Sequence, residues 1–134
     1  YLQAGVGGMA GAMAACFRNA WGDVPIITVV EPAYAPALTN SIIEGKFAST
    51  SGPVSDMGRL DCKEASLIAL AGLSRDANSF VTLTEKECLD AIKALPKYNL
   101  DTSSSGGAGI AAMMMSDLPA DARVLCILSE GPDE

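Results

Sequence analysis

Residues 3 to 12 read QAGVGGMAGA, with glycines at positions 5, 7, 8 and 11. They lead into Met9–Trp21, an apolar stretch without proline that reads as a helix buried on most sides. Glycine tolerates positive φ, so Gly5, Gly7 and Gly8 can turn successive N–H groups toward one point. A helix start adds unpaired amides and a favourable dipole there. The result is an anion cradle that needs neither lysine nor arginine. The plainer alternative is a tight strand-to-helix turn whose glycines only permit close packing. A second stretch, TSSSGGAG at 102–109, also stands at a helix start. Serine is a favoured N-cap, so one of Ser103, Ser104 and Ser105 could do no more than cap. Alternatively, one of these hydroxyls meets a heterocycle nitrogen in the same cleft.

Two kinds of phosphorylated ligand fit the first loop. Gly5-x-Gly7-x-x-Ala10 satisfies a relaxed dinucleotide fingerprint, with Glu31 at the end of the next strand as the acid for a ribose. Otherwise Glu31 is an ordinary solvated carboxylate before Pro32. A cofactor with a single phosphate, such as pyridoxal phosphate, also gives the second loop a task. A hydroxyl, unlike a carboxylate, does not enforce a protonated pyridine. The resulting weaker electron sink suits β-elimination. A third possibility is a non-catalytic remnant that binds a phosphorylated metabolite.

The elements around these loops alternate. Leu2–Ala4 reads as the tail of a strand, Val24–Pro32 as a core strand, and Ala35–Glu44 as a helix stopped by Gly45. Phe47–Arg59 reads as an irregular loop. Lys63–Ser74 reads as a helix with Asp61 near its cap and Glu64 in its first turn. Ser79–Leu83 is a short strand, followed by a Thr84/Glu87 capping box and a helix to about Leu95. After the second glycine-rich turn, Ile110–Met115 continues as helix. Arg123–Leu128 reads as a last buried strand, and Ser129–Glu134 as a frayed acidic end. This order predicts an α/β fold: one three-layer unit with an open, mainly parallel sheet flanked by helices.

Composition removes several function classes. The chain has 134 residues, 49% of them apolar, and a net charge of −7. No basic cluster is present, which argues against nucleic acid or an anionic membrane as partner. No apolar run is long enough to span a bilayer. Histidine is absent, so no Ser–His or Cys–His pair exists in this chain, and with no CxxC pair either, a zinc site of the usual Cys/His spacing is not expected. The four scattered cysteines read as reduced, half-buried core residues of a cytoplasmic protein. The opening at Tyr1, inside a strand pattern, suggests a piece of a longer polypeptide.

QAGVGGMAGA, VVEP, MGRLDCKEASLIAL and TSSSGGAG together resemble the C-terminal portion of fold-type II pyridoxal-phosphate enzymes, over Tyr1 to about Gly131. Within that superfamily the chain is most similar to the diaminopropionate ammonia-lyases, relatives of threonine dehydratase and cysteine synthase. The resemblance implies that the amides of Gly5, Val6, Gly7, Gly8 and Met9 hold the phosphate of pyridoxal 5′-phosphate. It implies that Ser105, or failing that Ser104, meets the pyridine nitrogen, and that Met57 and Gly58 lie near the cofactor. The implied reaction is α,β-elimination on 2,3-diaminopropionate, giving pyruvate and ammonia, in a cytoplasmic homodimer that takes a small amino acid. In the family the Schiff-base lysine and the acid–base carboxylates precede the glycine loop. The lysines here are Lys46, Lys63, Lys86, Lys93 and Lys97, and none matches that position. The chain alone is therefore expected to be catalytically inactive.

Overall fold

Val29 and Val30 are adjacent, fully buried, and belong to different hydrophobic cores. Successive side chains of a strand point to opposite faces, so a strand apolar on both faces lies between two layers of helices. In the computed structural model, which describes residues 1–132, this strand is β2 (Thr28–Pro32). It is the centre of a parallel sheet, with β1 (Leu2–Gln3) on one side and β3 (Ser79–Leu83) on the other. Leu2 pairs with Val29, and Thr28 through Pro32 pair with Ser79 through Leu83.

The Val29 face is covered by α1 (Gly8–Trp21), α2 (Ala37–Glu44) and α3 (Leu67–Asp76), which contribute Ala10, Ala14, Leu38 and Leu73 to one core. The Val30 face is covered by α4 (Glu85–Ala94) and α5 (Ser104–Met114), which contribute Cys88, Ala91, Ala108 and Ala111 to the other. This is the expected three-layer α/β fold with a parallel sheet. The Thr84/Glu87 capping box also forms as expected. Arg18 ties the far end together. Its guanidinium donates to the carbonyls of Asp76 (3.0 Å), Gly22 (3.0 Å) and Pro25 (2.8 Å) and to Asn78 Oδ1 (2.7 Å).

Several elements differ from expectation. β2 begins at Thr28, and Val24 and Ile26 are 87% and 79% exposed. Pro25 between them has no N–H to give a ladder. α3 starts at Leu67 because Ser66 caps it, its hydroxyl accepting from Ala69 N at 3.4 Å. Asp61 and Glu64 therefore lie in the preceding loop, where Asp61 pairs with Lys63 and Glu64 accepts from Ser49. The glycines of the second stretch sit inside α5, not in a turn. Gly107 is required there, since a Cβ would collide with Ile92 Cδ1 and lie 2.8 Å from Thr102 Cγ2.

Arg123–Leu128 is not a strand, and Val124 and Leu125 are 41% and 51% exposed. β1 offers only two residues to pair with. This segment is held beside it by side-chain bonds, with Gln3 Nε2 donating to Ile127 O and Cys126 Sγ to Gly109 O. Ser129–Gly131 is docked on the start of α5 rather than frayed. Asp133 and Glu134 lie outside the described residues.

Candidate functional site

Four of the five helix starts are closed by the chain's own oxygen atoms. Ser66, Thr84 and Ser103 cap α3, α4 and α5. Glu31 closes α2: its Oε1 accepts from Leu38 N at 2.8 Å, and its Oε2 from Thr39 N at 2.8 Å and Thr39 Oγ1 at 2.6 Å. α1 is different. Its N-cap is Gly7, which has no side chain to offer. Among the described residues, no acceptor faces the amides of residues 5–10. The first-turn amides of a helix need a partner, and the dipole makes an anion the favoured one.

Glycine is needed at two of these positions, for different reasons. Gly7 has φ 93°, in the left-handed region, with Leu38 and Ala69 so close that a Cβ would lie 3.0 Å from each. Gly5 has ordinary φ, but a Cβ there would lie 3.0 Å from Arg59 O and from Cys62 Sγ. Gly8 has open space around its Cα and no positive φ. The loop therefore turns at Gly7 alone, not through a run of left-handed glycines.

Gly5, Val6, Gly7, Gly8 and Met9 all line one cavity of about 250 Å³. Its other walls come from Gln3 and Ala4 at the end of β1, from Arg59, Leu60 and Cys62, and from Ser129. Arg59 and Leu60 belong to a 3₁₀ turn, Gly58–Leu60, that packs against the glycine loop and against α5.

The remaining sequence-derived site residues do not line this cavity. Ser105 is buried, and its hydroxyl accepts from Arg59 N at 3.1 Å, behind the 3₁₀ turn. Ser104 offers its carbonyl to the Cys88 thiol at 3.3 Å. Burial pushes that thiol up to about 11, so it stays protonated at neutral pH. Met57 is fully buried in the core, and Gly58 is exposed at the start of the turn. The hydroxyl that does line the cavity is that of Ser129, which accepts from Gln3 Nε2 at 3.1 Å. The available signal was a serine directly after the apolar run RVLCIL, at the carboxyl end where ligands collect in open α/β sheets.

Glu31 is neither a ribose acid nor a solvated carboxylate. It is fully buried, with both oxygens engaged by α2. Burial raises its pKa, against the opposing pull of the donors from Thr39 and Leu38. Among the described residues no lysine lines the cavity. Lys63 Nζ is spent on Tyr34 O, Pro53 O and Asp61.

A parallel α/β layer whose leading helix aims uncapped amides into a cleft has the arrangement that open-sheet proteins use for anionic ligands. The family model described as "Pyridoxal-phosphate dependent enzyme" matches residues 1–130, and the chain belongs to that family. The family's cofactor is pyridoxal 5′-phosphate. Among solved structures, a diaminopropionate ammonia lyase from Escherichia coli is similar with a TM-score of 0.84 at 23% identity, covering 97% of this chain and 38% of that one. A threonine deaminase from T.th. gives 0.80 at 19% identity, covering 88% and 44%. A maize serine racemase gives 0.76 at 19% identity, covering 87% and 35%. The chain thus spans about two fifths of the length of these structures. No curated protein matches it significantly in sequence.

The site fits a phosphorylated pyridine. The unpartnered amides of residues 5–10 suit a phosphate, and Ser129 supplies a hydroxyl on the same cavity wall. Among the described residues no helix is long and apolar enough to cross a membrane.

Proposed function

We propose that this chain is the cofactor-holding part of a pyridoxal-phosphate-dependent ammonia-lyase that carries out α,β-elimination on a small amino acid, 2,3-diaminopropionate. The observation that carries the reading is the open N-terminus of α1, the one helix start with no internal acceptor among the described residues. Bound pyridoxal phosphate supplies an electron sink for the substrate's α-carbon. The chain's own residues bind and orient it. The amides of Gly5, Val6, Gly7, Gly8 and Met9 hold the phosphate, and Gly7 fixes their direction. Ser129, rather than Ser104 or Ser105, presents its hydroxyl to the pyridine nitrogen, because Ser129 lines the cavity and the other two do not. A hydroxyl there leaves the ring largely neutral. Gly58 contributes only by opening the turn that carries Arg59 and Leu60 to the cavity. The lysine that anchors the cofactor comes from elsewhere in the protein, so the chain alone binds without turnover.

The choice of substrate is supported by the near-complete coverage of this chain by the diaminopropionate ammonia lyase. The test has two parts. The chain is titrated with pyridoxine 5′-phosphate, which has no aldehyde and so cannot form an imine with surface lysines. It is also assayed for pyruvate release from 2,3-diaminopropionate with pyridoxal phosphate present. Saturable binding without pyruvate release is expected. Preferential binding of NADH, or turnover by the chain alone, would overturn the reading.

A further inference from the structure

Ser129 reaches the cavity wall without a strand to carry it, so its position depends on the bonds on either side. On one side Gln3 Nε2 donates to Ser129 Oγ at 3.1 Å and to Ile127 O at 2.9 Å. On the other side stands Glu130. One of its carboxylate oxygens accepts from the Ser103 hydroxyl, and the other from Arg59 Nε at 2.5 Å. Its carbonyl accepts from Thr102 Oγ1 at 2.7 Å, and Ser103 N donates to Gly131 O at 3.0 Å. Gly106 makes room for this docking. A Cβ there would lie 2.7 Å from Glu130 Cγ and 3.1 Å from Glu130 O.

We propose that Glu130 is a positioning residue: its carboxylate bridges Arg59 on the cavity rim to Ser103 at the start of α5, and so fixes the Ser129 hydroxyl on the cavity wall. Its side chain is 20% exposed, and both its oxygens carry a charge-assisted bond, the one to Arg59 being an ion pair. Bonds of that kind are stronger and more directional than neutral ones. Neutral Gln3 alone cannot do the same work, because its amide nitrogen is shared among Gly106 O, Ile127 O and Ser129 Oγ. The inference rests on the assignment of Ser129 to the ring nitrogen made above.

The test compares affinities for pyridoxine 5′-phosphate and for inorganic phosphate in the wild-type chain and in Ser129→Ala, Glu130→Ala and Glu130→Gln. Both ligands carry a phosphate, so any change in the charge of a freed Arg59 cancels in the ratio of the two affinities. That ratio is expected to fall about fivefold in Ser129→Ala, the worth of one hydrogen bond, and by a similar factor in Glu130→Ala. Glu130→Gln should recover part of it, since its amide oxygen still accepts. If Ser129→Ala lowers the ratio and Glu130→Ala does not, the positioning role is overturned while the Ser129 assignment stands. If Glu130→Ala weakens both ligands equally, the residue is merely structural and the proposal fails. If Ser129→Ala leaves the ratio unchanged, the underlying assignment fails and takes this role with it. Residues 129 and 130 lie outside every helix and strand, so these variants are expected to fold. Equal melting temperatures confirm it.

Discussion

Alanine at position 7 is expected to destabilise the chain by about 2–5 kcal/mol, from left-handed backbone strain of roughly 1–2 kcal/mol and overpacking of about 1–3 kcal/mol. Both contributions are visible at Gly7, where φ is 93° and a Cβ would lie 3.0 Å from Leu38 Cδ1 and 3.0 Å from Ala69 Cβ. Leu38 is fully buried and cannot swing away. For a domain of this size the loss lowers the melting temperature by roughly 10 °C. Alanine at position 8 is the internal control. It meets nothing within 4 Å, needs no positive φ, and replaces glycine in the first turn of a helix. Its expected effect is a gain of up to about 1 kcal/mol. Thermal unfolding followed by circular dichroism separates the two variants. Gly7→Ala melting with the wild type, or Gly8→Ala losing as much stability as Gly7→Ala, would show that Gly7 is required neither for its φ nor for space.

Glu31→Gln leaves a donor facing Thr39 N and should destabilise by about 1–3 kcal/mol. Its pH dependence has a definite sign. The folded pKa of Glu31 is raised above its ordinary value of 4.5, so the stability linked to its protonation is fully present below pH 4.5. That stability is lost as pH rises through the folded pKa. The gap between wild type and Glu31→Gln in urea unfolding should narrow as pH is raised above 4.5, and a widening gap would contradict this. Thr84→Ala removes the α4 capping box and should cost about 1 kcal/mol by the same measurement. Arg18→Met releases the guanidinium from Asp76 O, Gly22 O, Pro25 O and Asn78 Oδ1. It is expected to cost about 2 kcal/mol and to speed hydrogen exchange at the amides of Gly22 and Ile27 before those of β2.

The layers were legible because they follow from local pattern. β-branched runs bounded by turn residues gave β2 and β3, and the Thr84/Glu87 spacing gave the start of α4. The glycine loop was legible as a tight strand-to-helix turn with open amides, because glycines before an apolar run mark a helix start with no side chain to cap it. Its mechanism was less so. Sequence cannot tell a glycine needed for φ from one needed for space or for neither, and Gly7, Gly5 and Gly8 are those three cases. Glu31 misled for a similar reason. A carboxylate after a buried strand looks like a ligand group, and only the fold shows α2 starting within its reach. Ser105 stood out for its place before a glycine pair, and Ser129 did not stand out at all. Their difference is tertiary: Ser105 accepts from the backbone of the 3₁₀ turn and does not line the cavity, while Ser129, bonded to Gln3, does. Arg123–Leu128 has the composition of a core strand, but Val124 and Leu125 stay exposed, and β1 offers only two residues to pair with.

In the proposed function, backbone amides at the start of α1 hold the cofactor's phosphate. Amide chemical shifts of the ¹⁵N-labelled chain during titration with pyridoxine 5′-phosphate test it most directly. The largest shifts are expected on residues 5–10, with their amide protons moving downfield, and inorganic phosphate is expected to reproduce those shifts while leaving Ser129 unmoved. Shifts confined to Arg59 and the surface lysines, with residues 5–10 unchanged, would contradict it.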